Sequence, residues 1–142
     1  MIVRESDKYE TPPEVFGELN LKYGPFSLDV CAEAKTAKCK NFYKIEDDSL
    51  EMDWAQGNGS RGWMNPPYSN PRPWIEKAIM EARLGFITCA LLPADTSTKW
   101  FHDLVLNNPR CKYEFWPKRI RFLKNGKRCE SAKFGSLVAI FF

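Results

Sequence analysis

Phe86-Ile87-Thr88-Cys89-Ala90-Leu91-Leu92 is a run of seven residues with no charge and a single hydroxyl. A run of that length and character reads as a strand covered on both faces, as in a parallel sheet. Its flanks agree. Upstream, Pro71 and Pro73 permit a helix to begin only near that point. Trp74, Ile75, Ala78, Ile79 and Ala82 then share one apolar face, and Gly85 closes the helix. Before it, Gly57-Asn58-Gly59-Ser60 reads as a tight turn and Arg61-Gly62-Trp63-Met64 as a short strand leading into Asn65-Pro66-Pro67-Tyr68. Downstream, a helix is predicted over 97–107, with Trp100, Phe101, Leu104 and Val105 inward. Strands are predicted over 111–116, 119–123 and 136–142, with Asn125-Gly126 as a hairpin turn. Strand–helix alternation finished by antiparallel strands predicts a three-layer α/β sheet.

The amino-terminal part is less periodic. Residues 1–10 are polar and read as a flexible arm. Thr11-Pro12-Pro13-Glu14 reads as a helix start, with Thr11 as N-cap, proline in the first turn and Glu14 completing a capping box. That helix is expected to run to about Lys22 and stop at Gly24-Pro25. Phe26 to Cys31 reads as a buried strand, and 33–60 as a polar stretch with a short helix at 33–38.

The 142 residues suit one domain, 1–142, large enough to hold a core without staples. No apolar run approaches a membrane span, and the opening residues are too charged for a signal peptide. The expected setting is therefore cytoplasmic, away from membranes. Five cysteines (Cys31, Cys39, Cys89, Cys111, Cys129) without a C-x-x-C pair argue against a disulfide framework and a zinc ribbon. His102 is the only histidine, which removes Ser-His-Asp hydrolysis and His-rich metal sites; no metal is expected.

Charge is unevenly placed. Residues 1–109 carry a balance of −4, whereas 110–142 carry +7, interleaved with Tyr113, Phe115, Trp116 and Phe122. Such a surface suits nucleic acid, where phosphate contacts supply affinity and aromatic planes cover bases. The alternation in Arg119-Ile120-Arg121-Phe122 equally suits a half-buried strand with a solvated face.

Asn65-Pro66-Pro67-Tyr68 stands at the carboxyl end of a predicted strand, where open α/β sheets place their ligands. Two prolines make a stiff loop with free carbonyls, Asn65 can accept and donate, and Tyr68 offers a flat face. Together they could clamp a planar amine. The Asn65 oxygen and the Pro66 carbonyl would accept its two N–H bonds while Tyr68 covers the ring. Such an amine is a poor nucleophile until its lone pair is turned out of the ring plane toward an electrophile. The same tetrapeptide also suits a rigid surface turn.

Asn65-Pro66-Pro67-Tyr68-Ser69 resembles the catalytic motif of amino-methyltransferases, and residues 11–142 resemble the phage-type (Dam-like) DNA N6-adenine methyltransferases. The likeness rests on Thr11-Pro12-Pro13, Leu28-Asp29-Val30-Cys31-Ala32, Glu46 to Leu50 with Asp53-Trp54, Leu92 to Phe101, Arg119 to Phe122, and Gly135-Ser136-Leu137. It implies a compact Rossmann-like methyltransferase sheet with an antiparallel C-terminal hairpin. Its implied cofactor is S-adenosylmethionine and its implied substrate is double-stranded DNA, bound by a monomer or weak dimer. By the same likeness Asn65, Pro66, Pro67 and Tyr68 are catalytic. Thr11, Pro12, Asp29, Val30, Cys31, Ala32 and Asn65 border the cofactor, with Asp47, Asp48 and Asp53 as candidate acids for its ribose or adenine. DNA would meet Ser69, Arg72, Lys99, Lys118, Arg119, Arg121, Lys124, Lys127 and Arg128. Protection from restriction enzymes is the role the likeness implies.

This chain departs from the methyltransferase pattern in one respect. Glu33-Ala34-Lys35-Thr36-Ala37 follows the first strand in place of a glycine-rich loop, and the second and third strands are expected short or missing. The alternatives are a catalytically weak or inactive DNA-binding accessory module, or methylation of a protein glutamine or of cytosine N4.

Overall fold

The structure is a computed structural model describing residues 5–55 and 57–142. After a short 3-10 turn at Glu5–Lys8, the chain forms helix α1 (Pro13–Tyr23) and strands β1 (Leu28–Asp29), β2 (Asn41–Phe42) and β3 (Arg61–Met64). Helix α2 (Arg72–Arg83) leads to β4 (Ile87–Pro93), and a π-helical turn at Phe101–Leu106 leads to β5 (Cys111–Phe115). The hairpin of β6 (Leu123–Lys124) and β7 (Lys127–Arg128) precedes β8 (Ser136–Phe141). The main sheet has the order β2-β1-β3-β4-β8-β5, with the first four strands parallel and β8 antiparallel to both neighbours.

β4 lies inside this sheet because its side chains need cover on both faces. Cys89 and Leu91 pack with Val15, Leu19 and Trp63 on the α1 side, while Ala90 and Leu92 pack with Ile75, Phe86 and Val105 on the α2 side. β8 is likewise buried at every position from Ser136 to Phe141. Gly62 permits the close approach of Phe86, whose ring would lie 2.6 Å from a Cβ placed there. The β6–β7 hairpin turns on Asn125 (φ 51°) and Gly126 (φ 77°). Two successive left-handed residues match the right-handed twist of the flanking strands, as the Asn-Gly pair predicts.

Several expectations are corrected. Pro12, not Thr11, stands at the N-cap of α1, and no side-chain cap bond forms there. The helix starts one residue late for the Thr11/Glu14 capping box, and Glu14 binds Arg128 instead, at 2.6 Å. The strand expected at 26–31 is regular only at Leu28–Asp29, although the Ser27 and Val30 amides still donate to the Arg61 and Trp63 carbonyls. Residues 33–38 form no helix; Thr36 closes a turn on Glu33. The 119–122 stretch is extended without joining a ladder. Its alternation is real, with Ile120 and Phe122 buried and Arg119 and Arg121 exposed. Of the predicted arm, residues 1–4 lie outside the described residues, while Asp7, Tyr9 and Glu10 are held in place by hydrogen bonds and ring stacking.

Glu81 is a buried carboxylate on α2, a position the apolar periodicity marks only as inward. Its Oε1 accepts from the Trp54 amide (2.9 Å) and the Ala55 amide (3.2 Å), and its Oε2 from Lys77 Nζ (3.1 Å). This tie closes the long 43–60 connection onto α2. Glu81→Ala strands two amides and an ammonium without their acceptor, and is expected to lower unfolding free energy by about 3 kcal/mol in urea titration. Glu81→Gln, which keeps one acceptor oxygen, is expected to cost less.

Candidate active site

β1 continues outward to β2, while its other neighbour is β3, so chain connections diverge on either side of the β1/β3 pair. In an open sheet that divergence leaves a crevice beyond the carboxyl ends of the strands. A cleft of about 590 Å³ lies there, within the size range of small-molecule sites. Asp29, Val30, Cys31 and Ala32 line it from the end of β1, and Asn65 and Pro67 from the end of β3. Thr11 and the segment Asp7–Glu10 form a further wall.

That segment is a strap across the Asn65–Ser69 loop. Asn65 Nδ2 donates to the Tyr9 carbonyl at 3.2 Å. Because a carbonyl can only accept, this bond fixes the orientation of the amide. Asn65 Oδ1 then points the other way, buried and without a hydrogen-bond partner. The Ser69 amide and hydroxyl donate to the two carboxylate oxygens of Asp7, at 2.9 and 2.7 Å. Glu10 exchanges two backbone bonds with Leu123, and the Tyr9 ring stacks on Phe122 at 5.1 Å. Nothing in the sequence pattern singles out Asp7, Tyr9 or Glu10. They are polar residues without periodicity, and their partners lie far along the chain.

Tyr68 does not face the large cleft. Its hydroxyl donates to the Leu91 carbonyl at 3.2 Å, and its ring meets Phe122 and Phe134 at near-right angles. Burial pushes its phenol above the usual range. Tyr68 instead lines a second cavity of about 380 Å³ with Pro93, Ala94, Asp95, Phe134 and Gly135. The Asn65-Pro66-Pro67-Tyr68 loop thus has Asn65 and Pro67 on one cavity and Tyr68 on the other, while Pro66 is buried and lines neither.

The acids differ sharply. Asp29 is buried and accepts from the Cys31 amide (3.2 Å) and the Lys38 amide (3.0 Å), tying down the loop that follows β1. Burial pushes its carboxyl up to about 7, against the pull of those amides and of the Lys38 charge. Burial likewise lifts the Cys31 thiol to about 12. Asp48, in a left-handed conformation, lines the cleft. Asp47 turns away to accept from the Lys44 amide at 2.7 Å, and Asp53 is not among the lining residues. Pro12 does not line the cleft, whereas Thr11 does, and its Oγ1 is a second buried oxygen without a partner. Residues missed by sequence reasoning include Tyr43, Lys44 and Ile45. Ile45 is an apolar side chain 77% exposed at the cleft wall, and nothing in its polar, weakly periodic stretch of sequence singles it out.

The basic residues form two groups. Arg72 and Lys99 both reach Asp103, at 3.7 and 2.8 Å. Among the carboxyl-terminal residues, Arg119 and Arg121 donate to the carbonyls of Ala132 and Cys129, Arg128 pairs with Glu14, and Lys124 lines the cleft. Lys118 and Lys127 are exposed. Among the described residues, no three His, Cys, Asp or Glu side chains group to hold a metal ion, and no helix is long and apolar enough to cross a membrane.

The unfolded chain ionises Asp29 near its ordinary 3.8, whereas the folded chain keeps the proton until about pH 7. Between these values the native state binds more protons, so stability falls as pH rises, by at most about 1.4 kcal/mol per pH unit. Urea titrations at several pH values are expected to show this slope in the parent chain and to lose it in Asp29→Asn.

The family model for DNA N-6-adenine-methyltransferase (Dam) matches residues 1–142. A DNA N-6-adenine-methyltransferase of Escherichia phage T1 is 39% identical over 97 residues, covering 68% of this chain and 40% of that protein. One of Haemophilus phage HP1 is 38% identical over 123 residues, covering 85% of this chain and 69% of that protein. The match therefore spans under half the length of the T1 relative. With strands, cleft and the Asn65–Tyr68 loop in these positions and a match over its whole length, the chain belongs to the DNA N-6-adenine-methyltransferase (Dam) family.

Proposed function

We propose that this protein transfers a methyl group from S-adenosylmethionine to N6 of adenine in double-stranded DNA, acting as one methyltransferase domain on a shortened Rossmann-like sheet. The observation that carries this reading is the buried, unpartnered Oδ1 of Asn65 at the strand-end cleft. A buried acceptor without a donor costs about 1–3 kcal/mol, and a substrate amine would satisfy it. The names of the phage relatives support adenine in DNA as the substrate.

The larger cleft suits the donor. Thr11 Oγ1 and Asn65 Oδ1 are two of the four buried side-chain atoms without partners among the described residues, and both belong to its lining. Thr11, Asp29 and Asp48 would hold the cofactor's hydroxyl and ammonium groups, and Ile45 offers an apolar wall for a planar ring. When bound, S-adenosylmethionine supplies an electrophilic methyl group.

The protein's own part is positioning. Adenine N6 lies inside the duplex stack, so the base must swing out to be reached. Tyr68 and Phe134 on the wall of the smaller cavity give it flat faces. Asn65 Oδ1, on the loop between the two cavities, accepts one N–H bond and turns the lone pair out of the ring. The Pro66 carbonyl, on a buried residue that lines neither cavity, reaches the other N–H only once the loop shifts. The lone pair is itself the nucleophile, so no base is required before attack; N6 then sheds one proton to water, the methyl group having left a neutral thioether behind. The Tyr9 carbonyl keeps the Asn65 amide turned with its oxygen available. Fixed dipoles of this kind act without reorganising during the reaction.

The test is incubation with unmethylated DNA and labelled S-adenosylmethionine, digestion to nucleosides and mass spectrometry. Label on N6-methyladenine is expected, with Asn65→Ala slower by about 100-fold or more while its fold is retained. Label on cytosine, or a variant with near-normal turnover, overturns the reading. For DNA binding, the exposed pair Lys118→Ala/Lys127→Ala is more informative than Arg119 and Arg121, which also hold backbone carbonyls. Its salt slope is expected to flatten by about 2, near 0.9 per lost phosphate contact.

A further inference from the structure

The sheet ends at β5, and no described strand lies beyond it. At five residues it is the longer of the two edges, since β2 at the other has only two. Its hydrogen-bonding directions are set by its inner neighbour. The Phe142 amide donates to the Arg110 carbonyl (3.1 Å) and the Trp116 amide to the Ser136 carbonyl (2.8 Å), so even-numbered residues turn their polar groups toward β8. Cys111, Tyr113 and Phe115 therefore present theirs outward. The Cys111 amide is taken by the Asn108 carbonyl at 3.1 Å, which leaves the Cys111 carbonyl and both groups of Tyr113 and Phe115.

The side chains are as unusual as the backbone. Tyr113 is 38% exposed and Phe115 54% exposed, and their rings meet at 5.9 Å beside Phe101. On the opposite face, Lys112 precedes Tyr113 and Glu114 follows it. This arrangement is its own complement. Turned end for end about Tyr113, the strand sets Lys112 against Glu114 and Glu114 against Lys112.

We propose that the outer edge of β5 pairs antiparallel with the same edge of a second copy, centred on Tyr113, continuing the sheet across a twofold axis. Tyr113 exchanges both backbone bonds with the partner's Tyr113, and the Phe115 amide donates to the carbonyl of the partner's Cys111. Lys112 faces the partner's Glu114 in the close, non-hydrogen-bonded pair, and symmetry makes that contact twice. Within one chain Glu114 binds Lys22 through Oε2 at 2.8 Å, which leaves Oε1 for the partner's Lys112. The exposed rings of Tyr113 and Phe115 gain cover on the other face. A row of unpaired strand groups invites any passing strand, and a self-complementary charge pattern narrows the choice to a second copy.

The test is sedimentation velocity on the full chain over a concentration series. The parent is expected to pass from monomer to dimer as concentration rises. Lys112→Glu, at an exposed position, sets like charges opposite one another twice and is expected to weaken the dimer by about tenfold or more. Lys112→Glu/Glu114→Lys, combined with Lys22→Glu so that residue 114 keeps its ion pair within the chain, exchanges the charges and is expected to restore it. A parent that stays monomeric, a dimer indifferent to Lys112→Glu, or a charge-exchanged triple variant that fails to recover each overturns the proposal. The methylation assay is read independently, since none of these residues lines either cavity.

Discussion

A strand whose side chains are apolar on both faces must be covered on both faces, and the position of β4 follows from that requirement. Covering one face takes α1 and the extended segment with Ile120 and Phe122; covering the other takes α2 and the turn at Phe101–Leu106. β8 is buried along its whole length for the same reason and fills the gap between β4 and β5. With the middle of the sheet so constrained, the parallel strands β1 and β3 lie on one side of β4. Their carboxyl ends diverge, and the cleft opens where they part. The site is therefore a by-product of core packing.

What makes the cleft chemical is a set of polar groups left incompletely satisfied in a largely buried setting. Hydrogen bonding is nearly complete in such interiors, and of the four unpartnered buried side-chain oxygens among the described residues Asn65 Oδ1 and Thr11 Oγ1 are the two that belong to residues lining the cleft. The strap at Asp7–Glu10 is central to this. It consumes the donor side of Asn65, anchors Ser69 and ties the β6–β7 hairpin to the mouth of the site through Glu10 and Leu123. Under the proposed function, a base entering from the Tyr68 side would therefore meet a loop already braced from above. Rigidity of this kind is what catalysis by positioning requires.

The basic carboxyl-terminal region has a divided role. Arg128 neutralises Glu14 at the start of α1, while Arg119 and Arg121 close their own segment onto the carbonyls of Ala132 and Cys129. These three of the nine cationic side chains of residues 110–142 are thus tied to the chain itself. The alternation of Arg119 and Arg121 with Ile120 and Phe122 bears out the half-buried reading of that stretch, with one face core and the other exposed and cationic.

Local chemistry was enough to reveal much of this molecule. An uninterrupted apolar run, a proline-bounded helix and an Asn-Gly turn each act within a few residues, so β4, α2 and the β6–β7 turn were legible, as was the strand-end position of Asn65. The capping box at Thr11 looked equally local and failed, because Pro12 took the cap and Glu14 had a better partner in Arg128. The strap on Asn65, the Trp54 and Ala55 amides on Glu81 and the turning of Tyr68 from the large cleft were decided only by the tertiary structure. These depend on hydrogen bonds between residues 23 to 62 positions apart, made by polar groups that leave no periodic trace. Periodicity records which side of an element faces the core; it carries no record of which distant carbonyl a buried amide will meet.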